Sequence, residues 1–162
     1  MKCGVLTLSD KGSRGEREDL SGAYLVSFLK TQGFEVLIYK IIPDEKEEIK
    51  SHLINWCDEL QLDLILTTGG TGVHPRDVTP DATKEVLDRE ITGIAEYIRY
   101  ISFSKTPLSA LSRAIAGIRG QTLIINLPGS PKALKEIMPS LLEIILHGIA
   151  KIKGDPSECS RG

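Results

Sequence analysis

Asp44, Asp77 and the run Thr67-Thr68-Gly69-Gly70-Thr71-Gly72 are the residues of this chain whose types and spacing could do chemistry. Three glycines within four residues, directly after an apolar run, let the backbone take positive φ angles and bring its N–H groups close to a ligand. Thr79-Pro80 then opens a helix, which adds unpaired N–H groups and the positive end of a dipole. Such a place can hold phosphate or another anion, although a plain strand-to-helix turn would look the same. It is not a Walker A loop, because no Lys-Ser/Thr follows at the right spacing, and it is not a dinucleotide G-x-G-x-x-G.

Asp10, Asp44 and Asp77 all fall at predicted strand ends. Each also has a plainer explanation. Asp44-Glu45-Lys46-Glu47 matches a D-x-x-E capping box, and a helix N-cap contributes about 1 kcal/mol. Asp10 and Asp77 could bond their local backbone as turn residues. The helix beside Asp77 has its own cap in Thr79, which leaves Asp77 spare. Arg76, Lys11, Arg113 and Lys132 are individually ordinary solvated cations. Ser130, before Pro131, suits a helix cap better than a nucleophile. His52, His74 and His147 have no metal-ligand spacing on one helix, so a zinc site is not expected. Taken together, anion-cradling turns and three strand-end aspartates suit a site where a divalent ion bridges carboxylates and phosphates. Magnesium is the usual ion there, because it takes one or two carboxylates plus phosphate oxygens and keeps several waters.

The elements that must position these residues alternate. Apolar runs at 3–8, 34–42 and 63–68 predict strands, and two more at 114–118 and 122–127 flank Arg119-Gly120. Between them lie a polar loop at 11–18 and a helix from Leu20 to Gly33. A second helix carries Ile49, Leu53, Ile54, Cys57 and Leu60 on its apolar side. Further helices are predicted from Thr79 to about Asp88, over 94–103, and over 139–153 with Leu141, Leu142, Ile145, Leu146 and Ile149 buried. Residues 106–113 read as irregular. Continuously apolar strands alternating with helices indicate an α/β fold, a three-layer α/β/α sandwich around a mostly parallel, mixed sheet. Ligands of such folds bind beyond the carboxyl ends of the strands. One domain over 1–153 is expected, with a polar tail at 154–162.

The net charge of −2 offers no basic footprint for nucleic acid, while an anionic small molecule responds to local charge instead. No apolar run approaches the roughly 20 residues of a spanning helix, so no membrane association is expected. The first ten residues run straight into a strand pattern without a signal or transit segment, so a cytoplasmic location is the expectation. Cys3, Cys57 and Cys159 are odd in number and far apart, which argues against a disulfide framework. Trp56 is expected in the core or an interface.

The stretch from Thr67 to Gly72, continued by Pro75-Arg76-Asp77-Val78-Thr79-Pro80-Asp81-Ala82-Thr83, resembles the signature of the molybdopterin adenylyltransferases. These are the MogA-type bacterial enzymes and the G domain of gephyrin; the MoaB-type relatives share the likeness, and some of them have other roles. Ser9-Asp10 with Asp19 and Gly22, Ile42-Pro43-Asp44-Glu45, Leu111-Ser112-Arg113, Gly117-Ile118-Arg119-Gly120 and the run from Leu123 through Pro128-Gly129-Ser130 match in order, so the resemblance covers nearly the whole chain. It implies transfer of AMP from MgATP to the terminal phosphate of molybdopterin, with release of pyrophosphate. It also implies a homotrimer and a downstream molybdate-insertion protein. By position, Asp44 and Asp77 correspond to the family's two key acidic residues, here expected to be catalytic and to hold magnesium. Thr68 with the glycine turn, and Pro128-Gly129-Ser130, correspond to ligand-lining loops; Arg76, Arg113 and Lys132 would offset substrate charge. The same fold also serves as a clustering domain, so a non-catalytic molybdopterin-binding or scaffolding module is the second expectation. The face carrying Ile94, Ile98 and Ile101 is the expected trimer interface.

Overall fold

The computed structural model describes residues 1–157; Cys159 and the last part of the expected tail lie outside the described residues. In chain order the elements are β1 (Lys2–Leu8), α1 (Asp10–Ser13), α2 (Leu20–Thr31), β2 (Glu35–Ile42), α3 (Lys46–Asp58), β3 (Leu64–Thr68) and α4 (Thr79–Val86). They continue with β4 (Arg89–Glu90), α5 (Thr92–Phe103), a 3₁₀ turn (Pro107–Leu111), β5 (Ala116–Arg119), β6 (Thr122–Leu127) and α6 (Pro131–Ile152). The six strands form one sheet in the order β2-β1-β3-β6-β5-β4. Strands β2, β1, β3 and β6 are parallel; β5 runs antiparallel to β6, and β4, antiparallel to β5, returns to the common direction, which makes the sheet mixed.

The two-residue period of the central strands assigns their side chains to two cores. Cys3, Val5, Leu64, Leu66, Leu123, Ile125 and Leu127 face α2, α5 and α6, where Leu25, Ile98 and Leu141 pack on them. Leu6, Leu8, Ile65 and Ile124 face α3 and α4, with Trp56 fully enclosed among them. Every residue of β3 and β6 is buried, which explains why Leu64–Leu66 and Leu123–Ile125 are apolar without alternation. Cys3 and Cys57 are buried free thiols, and burial pushes the Cys57 thiol up to about 11. Among the described residues no helix is long and apolar enough to cross a membrane.

Several expectations change. Strand β2 is not covered on both sides: it ends the sheet, and Leu37 and Tyr39 are exposed. Helix α3 stops at Asp58, so Leu60 falls in the turn beyond it and is exposed rather than packed. Ile54 and Leu146 also lie at the surface. Helix α6 starts at Pro131, not at residue 139. Ser130 caps it through Ala133 N–H, Leu134, Ile137 and Met138 anchor the added turns, and Pro139 is carried inside the helix. The loop expected at 11–18 begins with the short helix α1, and β4 is too brief to leave a pattern in the sequence. The face bearing Ile94 and Ile98 is turned into the core, with Ile101 packed against it, so it is not available as the trimer interface.

One buried polar cluster ties β6 to its neighbours. The Asn126 amide donates to Thr67 Oγ1 (2.9 Å) and Thr83 Oγ1 (3.0 Å), and its carbonyl accepts Ile115 N–H. Asn126→Leu removes these bonds inside the core and leaves the Ile115 N–H without its side-chain acceptor, while Thr83 Oγ1 keeps its bond to Thr79 O. The expected loss is about 2–3 kcal/mol by urea denaturation, since each unsatisfied buried group costs about 1–3 kcal/mol.

Candidate active site

The parallel strands deliver their carboxyl ends to one rim. From β1 the chain moves outward to β2 and returns on the other side of β1 as β3, with α2 and α3 on opposite faces. A crevice opens at that reversal. A cleft of about 800 Å³ occupies it, reached by Ser9 and Asp10 after β1, Asp44 after β2, Gly69-Gly70 after β3 and Gly129 after β6.

Asp10 and Asp44 are cross-bonded: Asp10 N–H donates to Asp44 Oδ2, and Asp44 N–H donates to Asp10 Oδ1, both at 3.0 Å. The capping box is therefore not formed. Glu45 takes the N-cap position of α3 without a side-chain bond, and the Asp44 carboxylate is drawn across to the start of α1 instead. The Asp10 carboxylate also receives Arg76 through Nε (3.1 Å) and Nη2 (2.9 Å), and Arg76 reaches Glu45 at 2.8 Å. The Arg76 guanidinium holds the Asp10 carboxyl below the usual carboxylate range. These pairs are about half exposed, so they orient more than they stabilise.

Asp44 is in the opposite condition. Its Oδ1 is buried with no hydrogen-bond partner, and burial raises its pKa, reinforced by the charges of Asp10 and Asp77. An ionised carboxylate so placed lacks a counter-charge, and the chemistry of the spot fits a cation. Asp77 flanks the same turn: its Oδ2 accepts His74 N–H (3.0 Å), and its N–H donates to His74 O (2.8 Å). It thus does the local backbone bonding of a turn residue with one oxygen, while Oδ1 takes no hydrogen bond among the described residues. Thr79 does not cap α4. It is the first helical residue, and its hydroxyl donates to Gly69 O at 3.0 Å, with Val78 at the uncapped N-cap position. The glycine turn separates the two acids: a Cβ on Gly70 would lie 2.8 Å from Asp44 Oδ1, and one on Gly72 would lie 2.8 Å from Asp77 Oδ2.

The remaining predicted residues divide. Ser9 caps α1 through Gly12 N–H, and Thr68 donates to Pro128 O at 2.7 Å. Gly129 lies against Gly69 and accepts the Ser21 hydroxyl. Arg113 is not a free cation. Its guanidinium is occupied by Gly72 O, Asp77 O and the Asp81 carboxylate, and its N–H donates to Thr71 O, so it braces the turn from behind. Thr71, Gly72, Ser112, Arg113, Pro128, Ser130 and Lys132 are outside the cleft lining; Ser112 bonds Ala114 N–H, and Lys132 is exposed. Sequence reasoning passed over Ser21, Arg17 and His74, which do line the cleft. Asp19, which also lines it, has its carboxylate filled by Thr7, Tyr39 and Gly22 donors.

The family model for the probable molybdopterin binding domain matches residues 4–147. The chain belongs to this family. Among its molybdopterin-binding-domain relatives, the molybdopterin adenylyltransferase of Helicobacter pylori strain J99 is 43% identical over 94% of this chain and 88% of its own length. Gephyrin of Dictyostelium discoideum is 45% identical over 94% of this chain, which spans 23% of that longer protein. The crystal structure of the molybdopterin biosynthesis enzyme MoaB from Thermus thermophilus superposes with a TM-score of 0.88 at 49% identity, covering 97% of this chain and 99% of that one. The family's fold is thus the three-layer α/β arrangement described above.

Proposed function

We propose that this chain is a molybdopterin adenylyltransferase, moving AMP from MgATP to the terminal phosphate of molybdopterin in molybdenum cofactor biosynthesis. One observation carries the reading: Asp44 and Asp77, 33 positions apart in the chain, flank a single glycine turn at the crevice between β1 and β3. The 43% identity to an adenylyltransferase over nearly the whole chain supports it.

In this reaction an oxygen of the pterin phosphate forms a bond to the α-phosphorus of ATP. The bond from that phosphorus to the bridging oxygen breaks, and pyrophosphate leaves with its electron pair. The pterin phosphate is already a nucleophile, so neither a serine nor a cysteine need be activated. The work left to the protein is alignment and charge compensation. In this assignment the Gly70 N–H in the turn grips a phosphate oxygen, the Gly69 N–H being taken by Leu127 O. Arg76, poised between Asp10 and Glu45, turns a guanidinium edge toward the polyphosphate. Asp44 and Asp77 would hold magnesium, which when bound supplies positive charge opposite the phosphate oxygens. Among the described residues no three His, Cys, Asp or Glu side chains converge as a metal cage, so most ligands of such an ion would be water and phosphate. The adenylylated pterin would pass to a molybdate-insertion protein, and the assembly would be a homotrimer in the cytoplasm.

The deciding experiment supplies purified protein with molybdopterin and ATP and follows pyrophosphate release and adenylylated pterin. Binding without turnover would favour the scaffolding role that the gephyrin likeness also permits. A second expectation concerns the unpartnered Asp44 oxygen. MgATP at a hundredfold excess over Kd stabilises by about 2.7 kcal/mol, which raises the thermal midpoint of a protein this size by about 5 °C or more. Asp44→Asn should lose most of that increment; an undiminished rise would remove Asp44 from the nucleotide site.

A further inference from the structure

His74 is a cleft-lining residue with two distinguishable ring nitrogens, and one of them is already occupied. Its Nδ1 accepts Arg76 N–H at 3.1 Å, a side chain bonding the backbone two residues on, as asparagine does in an Asx turn. Pro75 lies between them, and Asp77 N–H closes the same turn on His74 O at 2.8 Å. With Nδ1 accepting, the neutral imidazole carries its proton on Nε2. Nε2 has no partner among the described residues, and the ring borders the cleft beside Arg76 and Asp77. The ring therefore brings an uncommitted N–H donor to the cleft lining.

We propose that His74 is a substrate-binding residue of this site: Nδ1 closes the turn that places Arg76 and Asp77, and Nε2–H donates to a phosphate oxygen of the bound ligand. The inference rests on the adenylyl-transfer reading for the identity of that phosphate, which belongs either to the nucleotide or to the pterin. A merely structural histidine would need only Nδ1.

Two isosteres separate the roles. Asparagine at 74 sets a carbonyl where Nδ1 lies and lacks the distal donor; glutamine sets an amide N–H near Nε2 and lacks the turn acceptor. His74→Asn should therefore fold as wild type and weaken phosphate binding about tenfold, the scale of one hydrogen bond to a charged group. Isothermal titration with MgATP, with inorganic pyrophosphate and with molybdopterin shows which ligand loses affinity, and thereby which phosphate is held. His74→Gln should keep that affinity within about threefold and lower kcat instead, because Arg76 and Asp77 lose their fixed turn. If His74→Asn binds all three ligands within about twofold of wild type, the donor role is overturned and only the turn remains. If wild type binds MgATP but transfers no AMP, the adenylyl-transfer reading fails while the titrations still decide His74. Wild type that takes up none of the ligands would overturn both.

Discussion

Asp77→Asn is expected to lower kcat for AMP transfer by about 10³-fold while leaving molybdopterin affinity and folding close to wild type. The substitution is nearly isosteric, and the amide oxygen can still accept His74 N–H, the one hydrogen bond that the Asp77 side chain accepts among the described residues. What disappears is the negative charge of a side chain that lines the cleft. Loss of a single well-placed electrostatic group at a transferring centre typically costs about 10²–10³ in rate, so about 10³ is the upper end of that range. The urea midpoint serves as the control, since the turn survives the change. Near wild-type turnover by Asp77→Asn would show that this carboxylate only shapes the loop.

Gly69→Ala should act on the fold itself, with a loss of about 3 kcal/mol or more in urea denaturation at neutral pH. Gly69 has φ +96°, outside the region side chains tolerate, and an added Cβ would stand 2.4 Å from Leu8 O. That oxygen is backbone in a strand paired on both sides, so it cannot move aside cheaply. Strained backbone alone costs about 1–3 kcal/mol, and the collision adds to it. Gly70→Ala is the informative contrast. Its φ of +63° is the ordinary left-handed conformation, and its nearest obstacles are the ends of the Thr79 and Asp44 side chains. Stability should fall less there, while the displaced Asp44 oxygen should cost activity. Equal destabilisation by both substitutions would contradict the distinction.

The layers, the parallel strands and the glycine turn were legible because local patterns encode them. Apolar triplets without alternation in β3 and β6 require cover on both faces, and clustered glycines after a strand require an unusual turn. The family likeness singled out Asp44 and Asp77, and the fold brings them to one cleft. What escaped depends on pairings between distant segments. Asp44 looked like a cap because its four-residue context is a good capping box; the bond to Asp10 becomes possible only when β1 and β2 align with Leu8 beside Ile42. Arg113 looked like a free cation because its carbonyl partners at 72 and 77 carry no signal in side-chain identity. The start of α6 was misplaced because Pro139 reads as a first-turn proline, and only the packing of Leu134 and Met138 shows the helix passing through it. His74 was set aside for lack of a second ligand, although its spacing to Arg76 matches an Asx-like turn.

The crossed bonds between Asp10 and Asp44 have a consequence for how the mouth would behave without the proposed magnesium ion. Two neighbouring acids would ordinarily swing apart when nothing positive lies between them. Here each is tethered by the other's own peptide group, and neither tether depends on a metal. Stripping divalent ions from such a protein would stop its work without reshaping the entrance, and restoring them would return the rate at once, with no refolding in between.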